Sequence, residues 1–131
     1  MTDVYTGKGW MSLAVTGALG HGAGTALASC LNPEGEAIII TKAVLYGLTN
    51  STGAANITVG QGATVTAGHD SGTIFTAAAQ AASAGTAVVG LNTADAKDPL
   101  PVLGATEYIV VCGSADTTGY TGRLHIEYIH A

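Results

Sequence analysis

The chain has 131 residues, 47% of them hydrophobic and only 10% charged, with four basic and nine acidic side chains giving a formal net charge of −5 at pH 7. That length fits one domain able to bury a core without disulfides or metals, and its cations Lys8, Lys42, Lys97 and Arg123 are too few and too scattered to form the positive stripe that binds phosphate backbones, so no direct nucleic-acid partner is expected. The apolar residues come in short runs broken by Gly, Thr, Asn and Ala, short of the roughly 20 that span a bilayer, and no membrane partner is expected either.

In chain order, the opening Met-Thr-Asp-Val-Tyr-Thr-Gly-Lys lacks the basic start and apolar stretch of a secretory signal, which predicts synthesis in a cytoplasm. The glycine-rich Gly7-Lys8-Gly9 leads into a predicted strand over residues 10–16, followed by a flexible stretch over 17–24 with little to pack. Residues 36–49 form the longest predicted strand. Strict alternation puts Ile38, Ile40, Val44, Tyr46 and Leu48 on one face and Ile39 and Leu45 on the other, which predicts burial on both faces, the second by a neighbouring subunit. The turn signal Asn50-Ser51-Thr52-Gly53 precedes a strand over 55–59, and the two strands read as a hairpin.

Further strands are expected over 73–76, 86–91, 107–112 and 122–129. In the last, Leu124, Ile126 and Tyr128 face one way and Arg123, His125 and Glu127 the other, which predicts an amphipathic strand central to the core. Alanine-rich residues 76–84 read equally as a loop or a single helical turn. The polar, proline-bearing link 92–103 reads as a surface loop. The expected fold class is all-β: a single-domain antiparallel β-sandwich, jelly-roll-like.

The scarcity of charge points to assembly. A monomer of this mass exposes on the order of 6,000 Å², leaving one charge for every few hundred Å². Either Thr, Ser, Asn and backbone keep that surface soluble, or partners cover much of it; the depletion of charge at interface cores favours the second.

Catalytic chemistry finds little purchase. His69-Asp70-Ser71 contains the residue types of a triad, but neighbours on a strand point to opposite faces and the composition is that of a turn. His125 and Glu127 share a strand face and, with His130 or His21, could be written as metal ligands, yet an outward polar face explains the pair. Gly7-Lys8-Gly9 and Gly60-Gln61-Gly62 lack phosphate-loop spacing and read as turns. Cys30 and Cys112 read as free buried thiols. No catalytic, cofactor or metal site is therefore expected. Trp10, the five tyrosines and Phe75 supply the aromatic rings of a possible sugar platform, although Tyr46, Tyr108 and Tyr128 lie in strand patterns that core packing explains.

Three segments, in order, carry a resemblance: Leu31-Asn32-Pro33-Glu34-Gly35-Glu36 running into Ala37-Ile38-Ile39-Ile40-Thr41-Lys42-Ala43-Val44; Thr52-Gly53-Ala54-Ala55-Asn56-Ile57-Thr58-Val59-Gly60; and Gly119-Tyr120-Thr121-Gly122-Arg123-Leu124-His125-Ile126-Glu127-Tyr128-Ile129. Over residues 25–130 the chain resembles the small decoration, or cement, proteins of tailed-phage heads; residues 60–90 depart most from that pattern. The resemblance implies a jelly-roll-like subunit on the virion exterior that forms a homotrimer and clamps the major capsid protein lattice. It also implies an N-terminal arm, here residues 1–10, ahead of a sandwich domain over 11–131. Tyr5, Lys8 and Trp10 in that arm are the candidate interface residues, with Trp10 as the best candidate for a buried anchor. No active site comes with it. The alternative expectation is a glycan-binding β-sandwich module on a virion tail or cell surface.

Overall fold

The computed structural model describes residues 4–19, 26–49, 51–52, 55, 57–65, 74, 87–88 and 101–131. Among these residues nine strands follow one another: β1 (Val4–Gly7), β2 (Trp10–Thr16), β3 (Ala28–Leu31), β4 (Ile38–Thr49), β5 (Ile57–Gly62), β6 (Ala87–Val88), β7 (Val102–Leu103), β8 (Tyr108–Gly113) and β9 (Thr121–His130). They form two antiparallel sheets. The larger has the order β1-β2-β9-β4-β6, with β7 also paired to β4, and the smaller has the order β3-β8-β5. From β2 to β5, and again from β7 to β9, each strand lies in the opposite sheet to the one before it. This interleaving is a jelly roll, so the chain is an all-β antiparallel sandwich as expected.

Alternation of side chains fixes which face is inside. On β2 and β9 every second residue is buried, placing Met11, Leu13, Val15, Leu124, Ile126 and Tyr128 toward the small sheet. The small sheet returns Cys30, Ile57, Val59, Ile109 and Val111 to the same core. Strand β9 pairs with β2 on one side and β4 on the other, the central position its pattern predicted. Both cysteines are buried and neither is in a disulfide, and desolvation pushes the Cys30 thiol above its usual range.

Several expectations are corrected. Strands β4 and β5 are not a hairpin, because they lie in different sheets. The backbone N–H of Thr52 donates to the Thr118 carbonyl at 2.8 Å, so the chain leaving β4 is tied to another loop instead of folding back on itself. Along β4 the alternation is broken by a bulge: Ile40 opposes Tyr128 and Lys42 opposes Glu127, leaving Thr41 as the extra residue. Its hydroxyl donates to the Glu127 carbonyl at 3.1 Å. Beyond the bulge the parity flips, so Ala43 and Leu45 join the core while Tyr46 and Leu48 turn outward, 52% and 63% exposed. The strands buried on both faces are instead β5 and β8, where Thr58, Val110 and Cys112 are buried alongside the core-facing residues.

Gly60-Gln61-Gly62 is strand, paired with Val110, Ile109 and Tyr108, and not a turn. Val102–Leu103, the end of the expected surface loop, pairs with β4 and buries Leu103. Residues 4–7 of the segment read as an arm run back along β2 as an edge strand. Lys8 and Gly9 make the two-residue connection, with Gly9 at φ +80°, a conformation that favours glycine. The strand expected over 73–76 is described only at Ile74, which is buried and donates its N–H to the Val59 carbonyl at 3.1 Å. Residues 76–84, His21 and His69-Asp70-Ser71 lie outside the described residues.

Candidate functional site on the outer face of the large sheet

The outer face of the large sheet is laid out by register. One cross-strand row holds Val102, Ile39 and Ile129; the next outward row holds Lys42, Glu127 and Trp10; then come Val44, His125 and Ser12, and finally Tyr46, Arg123 and Ala14. The layout is an apolar patch at each end with a polar band between. Val102 and Ile129 are 48% and 54% exposed at one end, and Tyr46 and Leu48 are the exposed apolar residues at the other. Core packing does not explain Tyr46, contrary to the sequence reading. Among the described residues, Tyr120 and Tyr128 are the buried tyrosines, and Tyr120 precedes its strand, so alternation gives no sign of its burial.

Within the polar band, Trp10 and His125 are diagonal neighbours across β2 and β9, and their rings stack with centroids 6.2 Å apart and planes 29° from parallel. The indole lies over Gly7, where a Cβ would collide with it. His125 Nε2 is 3.3 Å from Glu127 Oε2, and Lys42 Nζ is 4.0 Å from the same oxygen. Arg123 Nε donates to Ser12 Oγ at 2.8 Å. An open hollow of about 420 Å³ is lined by Lys8, Gly9, Trp10, His125 and Glu127.

The structure thus brings Lys8 and Trp10 together with two residues weighed only as metal ligands. Tyr5 sits opposite Ser12 in the register, in the row that continues to His125 and Val44. His130 is not part of this cluster. It lies with Glu36 at 3.1 Å and Glu34 at 3.6 Å, clamping the end of β9 to the loop before β4. Among the described residues no group of three or more His, Cys, Asp or Glu side chains is arranged to hold a metal ion. What sequence reasoning missed was the union of the turn at Lys8-Gly9 with β9, a contact across more than a hundred residues that only the sheet order supplies.

A second polar centre is internal. Asn32 is buried, and its amide nitrogen donates to the Glu36 carbonyl at 2.9 Å, the Gly104 carbonyl at 2.9 Å and the Leu103 carbonyl at 3.3 Å. Its side-chain oxygen accepts from the Glu34 N–H at 2.9 Å. One residue thereby shapes the loop before β4 and fastens it to β7.

Comparison with protein-family models, with curated proteins and with solved structures gives no match.

Proposed function

We propose that this chain is a non-enzymatic virion structural protein that assembles as a homo-oligomer, a trimer by resemblance, and decorates the exterior of a phage head by binding the major capsid protein lattice. The observation that carries this reading is the outer face of the large sheet, where Tyr46 and Leu48 at one end and Val102 and Ile129 at the other stand about half exposed or more on a chain with little charge. Exposed apolar patches rimmed by polar groups mark protein contact surfaces. The jelly roll and the three resembling segments support the virion assignment, although a fold by itself does not fix a function.

The mechanism is avidity. A subunit that touches its neighbours and the lattice at once makes each later contact effectively intramolecular, so modest interfaces add up to a firm hold. The test is sedimentation of the full chain at low micromolar concentration, followed by co-sedimentation with heads assembled from the major capsid protein of the same genome. A trimer that binds the heads supports the reading, and Tyr46→Glu with Leu48→Glu should weaken assembly without lowering the melting temperature. A monomer that leaves the heads bare overturns it.

A further inference from the structure

We propose that the hollow lined by Lys8, Gly9, Trp10, His125 and Glu127 is a binding subsite for a neutral pyranose, with Trp10 as its stacking platform and Glu127 as its principal hydrogen-bond acceptor. The hollow lies in the polar band between the two apolar ends on which the decoration reading rests, so the subsite is one that the unassembled chain presents.

The ring comes first. Trp10 is 37% exposed, although an indole is among the largest apolar groups a protein can bury. It is nonetheless held in place, resting over the Gly7 backbone and stacked with His125. A ring fixed on a strand and bordering a hollow offers apolar surface to a ligand at little entropic cost, because the ring has already lost its freedom.

The polar groups choose the ligand. Lys8 contributes an ammonium with three donors, Glu127 a carboxylate that only accepts, and His125 an imidazole already directed at that carboxylate. An anionic ligand would meet Glu127 at the wall, and a cationic one would meet Lys8 there and Lys42 just behind, 4.0 Å from Glu127. A neutral polyol meets neither penalty, since each hydroxyl both donates and accepts. A pyranose adds an apolar C–H face suited to the indole. The volume of about 420 Å³ lies within the roughly 300–1,000 Å³ usual for small-molecule sites. The openness of the hollow to solvent fits one residue of a longer glycan, not an engulfed monosaccharide.

Trp10 is the single tryptophan of the chain, so its emission reports on this hollow alone. The experiment titrates the full chain with methyl glycosides of glucose, galactose, mannose and N-acetylglucosamine, each to about 50 mM, a range that captures millimolar affinity. Tryptophan fluorescence and saturation-transfer NMR are followed together. The expected result is a saturable emission change with at least one glycoside, with its transfer signal abolished in Trp10→Ala and binding about tenfold weaker in Glu127→Gln. That loss corresponds to about 1.4 kcal/mol, in line with one hydrogen bond to a charged group. Glu127→Gln should keep the wild-type melting temperature, and Trp10→Ala, which gives up the packing on Gly7 and His125, should stay folded with a lowered one. No saturable response to any of the four glycosides overturns the proposal, as does a transfer signal that survives Trp10→Ala.

Discussion

Replacing Asn32 with Asp changes one atom and should do disproportionate harm. The amide nitrogen faces three carbonyl oxygens, those of Glu36, Leu103 and Gly104, while the side-chain oxygen already accepts from the Glu34 N–H. A carboxylate keeps the accepted bond, loses both N–H donors and sets a charged oxygen 2.9 Å from two carbonyls in a buried site. Two lost hydrogen bonds account for about 2 kcal/mol, and leaving buried acceptors unsatisfied beside a desolvated charge adds at least about 1 kcal/mol. At about 3 °C or more per kcal/mol for a chain of this size, the melting temperature should fall by about 10 °C at pH 7. The introduced carboxyl is held above its unfolded pKa, so the folded state binds its proton more tightly. The penalty is then full above the folded pKa and shrinks as pH falls through it toward the unfolded value. Asn32→Ala should also destabilise, but without that acid recovery. Thermal unfolding of the three proteins between pH 4 and 8, each variant referred to wild type at the same pH, separates these effects. An Asn32→Asp protein that melts within about 2 °C of wild type at pH 7 would refute the reasoning.

Tyr120 is fully buried and its hydroxyl has no partner among the described residues, so Tyr120→Phe should be neutral or up to about 1 kcal/mol stabilising in urea unfolding, and a loss above that would reveal a partner for the hydroxyl. Tyr128 should ionise only near pH 12, because burial and then its 2.5 Å hydrogen bond to the Glu34 carboxylate favour the neutral phenol. The stability this contributes is present below the unfolded value near 10 and lost as pH climbs toward about 12. Ultraviolet titration of tyrosinate should show this late step move to lower pH in Glu34→Gln. Cys30 and Cys112 should resist a disulfide reagent at pH 8 in the native protein and react fully in denaturant, with rapid native labelling of either thiol contradicting its burial.

Much of the fold was legible because alternation is a local signal. Residues 10–16 and 122–129 read as strands from their side-chain period, and β2 and β9 occupy Trp10–Thr16 and Thr121–His130. The failures have a common physical cause. At Thr41 one inserted residue changes the phase of the pattern without changing its composition, so the inward and outward sets of β4 cannot be assigned from a single register. Strand β7 is two residues long behind Pro101, too short to show a period, and the pairing that makes it a strand comes from Ile38 and Ile39, far away in the chain. For the candidate site, Lys8 and Trp10 were legible as an exposed turn and a lone tryptophan. His125 and Glu127 were legible as an outward polar pair. Their meeting was not, because it depends on which strand lies beside β2.

Strand β9 is the last of the nine to be synthesised and sits between β2 and β4 in the large sheet. Until it arrives, β2 and β4 each keep a free hydrogen-bonding edge, and neither can close the core. Pairing of Trp10 with Glu127 joins residues more than a hundred positions apart, and such long-range contacts are slow to form. A nascent chain held short of Thr121 would offer those two edges to its neighbours, the kind of exposure that leads to aggregation. The large sheet is therefore closed by β9, which acts as the clasp between β2 and β4.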